Sequence, residues 1–195
     1  IVVDDGSNDS TQTVLQELLA GYDTLRVLQH KFQVGQSAAL VSGVCAAKSD
    51  WILTMDGDGQ NPPNDINKLI NEYNLYDYPI LLAGIRVNRK DTLEKKITSY
   101  LANKIRSTIL QDSCMDTGCA LKIFRRNDFL KLPFFDGIHR FLPALFKYSR
   151  VKVKFYNVSH RYRFKGVSKY GTLDRLFKGI RDIIKVIKIK KKNNS

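Results

Sequence analysis

Cysteine is scarce. Cys45, Cys114 and Cys119 are the three in 195 residues, an odd number with no CxxC spacing. That excludes a disulfide framework and argues for a reduced, cytoplasmic compartment. The three histidines stand at no ligand spacing to the cysteines, so a zinc site is not expected. Long apolar runs are also missing. The longest, Pro79 to Ile85, is far too short to span a bilayer. Acids are nearly absent from the C-terminal end. From Val151 to Ser195 there are 14 Lys and Arg against two acids, Asp174 and Asp182, while residues 1 to 150 hold 18 basic and 17 acidic residues. The net charge of +13 is therefore the charge of one end. Such an end suits an anionic partner, either phosphates or an acidic membrane surface.

What is present fits one α/β domain. Hydrophobic residues make up 43% of the chain, enough for a packed core at this length. Ile1 to Val3 already reads as the end of a buried strand, so the natural fold is expected to carry chain before Ile1. A turn, Asp4-Asp5-Gly6-Ser7, follows. Ser10 is placed to cap a helix running to about Ala20, with Val14, Leu15, Leu18 and Leu19 on one face. The pattern then predicts a strand over Leu25 to Leu28, a helix over Gly35 to Ala47 and a buried strand over Trp51 to Met55. Pro62 and Pro63 suit the first turn of a helix to about Tyr73, and Ile80 to Ile85 is the next strand. Further on, the spacing predicts a helix over Thr92 to Leu110, a strand over Ala120 to Phe124, a short helix over Arg140 to Tyr148 and a strand over Val151 to Ser159. This alternation implies a mostly parallel sheet covered by helices. Ligands bind such sheets at the carboxyl ends of the strands, where both Asp-rich turns fall.

The turn Asp56-Gly57-Asp58-Gly59-Gln60 carries two carboxylates one residue apart. Oxygen ligands so spaced suit Mg²⁺ or Mn²⁺, and Gln60 adds a carbonyl oxygen. Glycines on either side let a ligand approach the backbone. A solvated acidic turn would use the same residue types; the buried strand before it and the Pro-Pro helix start after it favour the metal site. At the first turn, a strand-end acid can accept hydrogen bonds from a nucleobase or a ribose.

Five segments occur in order: Val3-Asp4-Asp5-Gly6-Ser7-Asn8-Asp9, Met55 to Pro63, Gly84-Ile85-Arg86, Asp116-Thr117-Gly118-Cys119, and Gly166-Val167-Ser168-Lys169-Tyr170. Together they resemble the family 2 glycosyltransferases of GT-A fold, in the dolichol-phosphate mannosyltransferase-like branch with its bacterial polyprenyl-phosphate sugar transferases. The resemblance implies a Rossmann-like sheet with helices on both faces, lacking an N-terminal strand here. It implies an inverting transfer from GDP-mannose or a UDP-hexose to a polyprenyl or dolichyl phosphate. Val3 and Asp5 would line the nucleobase and ribose pocket. Asp56, Asp58 and Gln60 would hold Mg²⁺ or Mn²⁺ with the donor diphosphate, and Gly57 would touch the nucleotide through its backbone. Arg86 would reach a phosphate, and Asp116 and Gly118 would sit beside the donor sugar. Arg163 and Lys169 would close over the diphosphate, so the catalytic set is Asp58, Asp116, Arg163 and Lys169.

Arg161, Arg163, Lys165 and Lys169 surround Gly166, a composition suited to folding onto phosphates and shutting out water. Arg89, Lys90 and Arg106 are further candidates, for the acceptor phosphate. His139 and His160 are expected to be structural, and Cys119 a small core residue. From Leu173, apolar residues recur between Arg175, Lys178, Arg181, Lys185 and Lys188 as on a cationic amphipathic helix. Residues 1–170 are thus expected to form the catalytic domain and 171–195 a basic helix and tail at a membrane surface, on its inner face. No nucleic-acid partner is expected. The competing expectations are a family 2 transferase with a non-lipid acceptor, and an inactive truncated homologue that binds membranes or polyanions. A nucleotidyltransferase would carry a Gly-rich, Lys-containing phosphate loop near its first strand, and none is visible.

Overall fold

The structure is a computed structural model that describes residues 1–87, 93–161 and 172–193. The elements run β1 (Val2–Asp4), α1 (Thr11–Gly21), β2 (Val27–Gln29), α2 (Gln36–Ala46), β3 (Trp51–Thr54), α3 (Asn64–Tyr73), β4 (Ile80–Arg86), α4 (Leu93–Leu110), β5 (Lys122–Arg125), α5 (Arg126–Leu130), a 3₁₀ turn (Ile138–Arg140), α6 (Leu142–Tyr148), β6 (Lys152–Val158) and α7 (Thr172–Asn193). β1 and β2 pair in parallel as a small sheet, and the main sheet has the order β3-β5-β4-β6. β4 and β6 are parallel, whereas β5 runs against both β3 and β4. β3, β4 and β6 therefore point one way, with β5 reversed between β3 and β4.

The reversal of β5 places the site. Its first residue, Lys122, is in register with Thr54 at the end of β3 and with Ala83 near the end of β4. The chain entering β5, which holds Asp116 and Gly118, therefore arrives at the carboxyl ends of β3 and β4.

β4 explains the layering. Its run Ile80-Leu81-Leu82-Ala83-Gly84 is buried on both faces, as a central strand should be. Leu81 and Phe124 face one cluster with Val44 of α2, Phe146 of α6 and Val186 of α7. Ile80, Leu82 and Ile123 face the other, with Leu69 and Tyr73 of α3 and Val158 of β6. Alternation along a strand sends neighbours to opposite faces, so helices cover both sides. α7 belongs to this core: Val186 is fully buried, and Ile183, Ile187 and Ile189 pack beside it. No helix among the described residues is long and apolar enough to cross a membrane.

Two local expectations are corrected. Ser10 precedes α1 but makes no side-chain cap; Asp9 Oδ1 accepts from the Thr11 N–H at 3.0 Å instead. The segment expected as one short helix from Arg140 is two pieces, a 3₁₀ turn and α6, divided at Phe141.

Candidate active site

The turn after β3 builds the centre. Gly59 takes φ +73°, which lets the chain double back. A Cβ on the exposed Gly57 would meet nothing, so packing does not require glycine there and the space beside its backbone is open. Asp56 Oδ1 accepts from Gln36 Nε2, the first residue of α2, at 2.8 Å. Asp58 Oδ1 accepts from the Gln60 N–H at 3.1 Å. The Gln60 carbonyl accepts from the Arg161 N–H at 2.9 Å, and Gln60 Nε2 donates to the Arg161 carbonyl at 3.4 Å. The turn is thereby tied to the chain just beyond β6. A second tie runs from the Ser159 N–H to Asp65 Oδ2 at 2.6 Å, at the start of α3.

The electrostatics fit a divalent cation. Burial, and next the neighbouring Asp58 carboxylate, push the Asp56 carboxyl above its ordinary value, against the pull of Lys122, Arg86 and Gln36. A carboxyl penalised by burial and by a neighbouring carboxylate gains from a cation beside it. Among the described residues no three His, Cys, Asp or Glu side chains gather as a metal site. Asp56 and Asp58 therefore need further oxygens from elsewhere. Gln60 spends its side-chain nitrogen on the Arg161 carbonyl, which leaves its side-chain oxygen Oε1 as the atom to offer.

Arg86 and Asp116 form a two-pronged pair. Arg86 Nε and NH2 donate to Asp116 Oδ2 and Oδ1 at 2.8 and 2.7 Å, and the Arg86 backbone N–H reaches Oδ2 at 3.0 Å. Gly118 makes this possible: a Cβ there would stand 2.7 Å from Arg86 NH2. Gly84 is equally constrained, since a Cβ would lie 2.9 Å from Cys119 Sγ and 3.0 Å from Val158 Cγ2. Cys119 is the small buried core residue expected, its thiol pushed up by burial. Behind these groups lies Lys122, 4% exposed, whose ammonium donates to the Cys119 carbonyl. Burial pulls the Lys122 ammonium down; the Cys119 and Cys114 thiols and the Asp56 and Asp116 carboxylates oppose that pull.

The first turn connects to this centre through α2. Both oxygens of Asp5 are engaged, Oδ1 by His30 Nδ1 (2.7 Å) and the Val34 N–H (3.0 Å), Oδ2 by the Gly35 N–H (2.7 Å). Burial would raise this carboxyl, but the His30 hydrogen bond and the two amides hold it below the ordinary 3.8. Asp5 so fixes the loop that feeds Gln36 into place, besides lining a recess of about 230 Å³ with Ser7, Asn8 and Gln33. Val3 packs on α2, where a Cβ on Gly43 would stand 3.3 Å from Val3 Cγ2.

The structure thus brings Asp56, Asp58, Gln60, Arg86, Asp116 and Gly118 to one end of the sheet. Arg163, Lys169, Lys165, Gly166, Arg89 and Lys90 lie outside the described residues. Arg106 is corrected: its guanidinium is buried, closed on Asp112 at 2.7 and 2.9 Å and on the Cys114 carbonyl at 2.7 Å, so it holds the end of α4 rather than an acceptor. His139 is held structurally, its Nδ1 2.8 Å from Ser37 Oγ. Sequence reasoning missed Gln36 and Lys122. The signal for Lys122 was a lysine inside an apolar strand; that for Gln36 was an amide directly after the glycine that opens a helix.

A carboxylate pair thus stands at a strand end, with an Arg–Asp pair and a buried lysine close to it. The sequence model of glycosyl transferase family 2 matches residues 1–132, and the chain belongs to that family. It is 37% identical over 193 residues to a dodecaprenyl-phosphate galacturonate synthase of Rhizobium johnstonii, covering 96% of this chain and 56% of the relative. It is 33% identical over 175 residues to an undecaprenyl-phosphate 4-deoxy-4-formamido-L-arabinose transferase of Pectobacterium atrosepticum, covering 89% and 53%. The chain spans about half the length of these relatives. Among solved structures, it resembles glucosyl-3-phosphoglycerate synthase from Mycobacterium tuberculosis, crystallised with Mn²⁺, UDP-glucose and glycerol 3-phosphate. The TM-score is 0.67 at 18% identity, over 97% of this chain and 67% of that one. The architecture is accordingly the GT-A fold.

Proposed function

We propose that this chain carries the transfer site of an inverting glycosyltransferase, which moves a sugar from a nucleotide-sugar donor, GDP-mannose or a UDP-hexose, to a polyprenyl or dolichyl phosphate. The observation that carries the reading is the Asp56–Asp58 pair on the turn after β3, with Arg86 and Asp116 beside it. Polyprenyl phosphates stand in the names of both relatives, which supports the acceptor class. A Mn²⁺–UDP-glucose complex of a protein with this fold supports the donor class and the cation.

In this reading Asp56, Asp58 and the side-chain oxygen Oε1 of Gln60 would hold Mg²⁺ or Mn²⁺. Bound there, the cation offsets the charge of the diphosphate and the charge that grows as the sugar bond breaks. Asp116 orients Arg86 toward the donor and, with Gly118, borders the sugar. Lys122 compensates the buried carboxylates from below. The Gln60–Arg161 and Asp65–Ser159 ties fix the chain just beyond β6, ahead of Arg163 and Lys169, to which this reading assigns the diphosphate. An acceptor phosphate oxygen forms the new bond to the sugar carbon as the nucleoside diphosphate leaves with the old one. That oxygen is ionised at neutral pH, so positioning and electrostatics supply the catalysis without a strong base.

The basic α7 brings the site to the inner face of a membrane. Ile180 and Ile184 are each 49% exposed and Arg181 and Lys188 are exposed on the same helix, a combination that suits an anionic lipid interface. Incubation with UDP-sugars and GDP-mannose plus Mn²⁺ tests the reading. Wild type should release nucleoside diphosphate, faster with a polyprenyl phosphate, and Asp58→Ala should lower the rate at least ~100-fold. Equal rates in the two proteins would reject it.

A further inference from the structure

α2 starts without a cap of its own. Its N-cap is Gly35, and no side chain closes its first turn. A helix start of this kind is fixed by whatever holds it from outside. One tie is the Gly35 N–H on Asp5. The other comes from the opposite side and leads back to α7.

Ser37, the second residue of α2, is 1% exposed. Its hydroxyl accepts from the Gly137 N–H at 2.8 Å and pairs with His139 Nδ1 at 2.8 Å. Gly137 takes φ +107°, and a Cβ there would stand 2.5 Å from Asp182 Oδ2. The turn at 137–140 is thus moulded around a carboxylate from α7. Asp182 is 1% exposed; its Oδ2 accepts from Arg140 NH2 at 2.6 Å and its Oδ1 from Lys185 Nζ at 3.3 Å. At the far end of this run, Gln36 donates to Asp56. An acid in a strongly cationic helix is turned inward, onto the turn that pins the residue next to Gln36.

We infer that Asp182 and Ser37 are positioning residues for the metal loop: α7, acting through the 137–140 turn and the start of α2, sets where Gln36 holds Asp56. The inference rests on the metal-dependent reading above. It makes the seating of the basic helix and the affinity of the site for its cation two sides of one equilibrium, each acting on the other.

The test titrates the full chain with Mn²⁺ in the presence of UDP, and separately of GDP, reading free Mn²⁺ by electron paramagnetic resonance. Thermal midpoints are taken on the same samples. Gln36→Ala should weaken Mn²⁺ binding about fivefold, the effect of one hydrogen bond to a charged group at a partly exposed site. Asp182→Asn and Ser37→Ala should each weaken it by the larger part of that factor. The double variant Gln36→Ala/Asp182→Asn should bind no more weakly than Gln36→Ala alone, because the second change acts through the first. Where Asp182→Asn does not fold, Ser37→Ala completes the same cycle. A lowered midpoint with unchanged Mn²⁺ affinity in the Asp182 and Ser37 variants overturns the inference, as does a cycle whose effects add. Wild-type protein that binds Mn²⁺ with neither nucleotide overturns the inference and the reading together; wild-type binding with an additive cycle overturns the inference alone.

Discussion

Gly118 and Asp65 show how single residues set the site. A methyl group at Gly118 would fall 2.7 Å from Arg86 NH2, the far end of a flexible side chain that Asp116 holds in place. Gly118→Ala should therefore leave the fold intact and move the guanidinium off Asp116. We expect donor KM to rise roughly tenfold, in line with the loss of a charge-assisted hydrogen bond, with a shift of a few degrees at most in thermal midpoint. Asp65 acts by anchoring. Burial alone would raise its carboxyl, but the Ser159 amide and Lys68 outweigh burial and hold it below the ordinary 3.8. A depressed folded value means that the stabilisation is fully present above the ordinary value of 3.8 and is lost as pH falls through the lower folded value. Asp65→Asn should cost about 1–2 kcal/mol near neutral pH. Midpoints measured against pH should show wild type and variant converging below about 3.8.

At this scale the acids were legible and their partners were not. Asp56 and Asp58 announce themselves because two carboxylates end an apolar strand, although β3 itself is only partly buried, with Trp51 exposed. Arg106 reads from the sequence as a candidate for the acceptor phosphate; only the chain reversal after Leu110, with positive φ at Gln111 and Ser113, folds Asp112 back onto it.

Among the elements, the sequence period located nearly every helix and strand, since each long element carries its apolar residues at its own spacing. What it could not supply was direction. Strand–helix alternation implies a mostly parallel sheet without saying which strand departs from it, and β5, after a long excursion, enters reversed. α5 went unread because its five residues follow β5 directly and are too few to show a helical period. α7 was legible as an amphipathic helix, but its partition was not: Val186 is fully buried while Ile180 and Ile184 stay half exposed. Removing the buried member should act on the domain. Val186→Ala is expected to cost about 2 kcal/mol in denaturant unfolding, whereas Ile184→Ala should cost well under 1 kcal/mol. Equal losses would mean that α7 is not seated by this face.

Over the whole molecule, charge and chemistry are segregated. A near-neutral body presents an acidic loop at the strand ends, and a strongly basic end, largely in α7 and the segment before it, holds most of the net charge of +13. The arrangement suits an enzyme that gathers an anionic donor and an anionic acceptor around a cation. Calorimetric titration of the full chain with UDP and with GDP, each with and without Mn²⁺, tests that account most directly. It predicts saturable binding of one nucleotide that requires Mn²⁺ and disappears in a folded Asp58→Ala variant. Binding that is indifferent to both the metal and Asp58, or no binding of either nucleotide by folded wild-type protein, would contradict it.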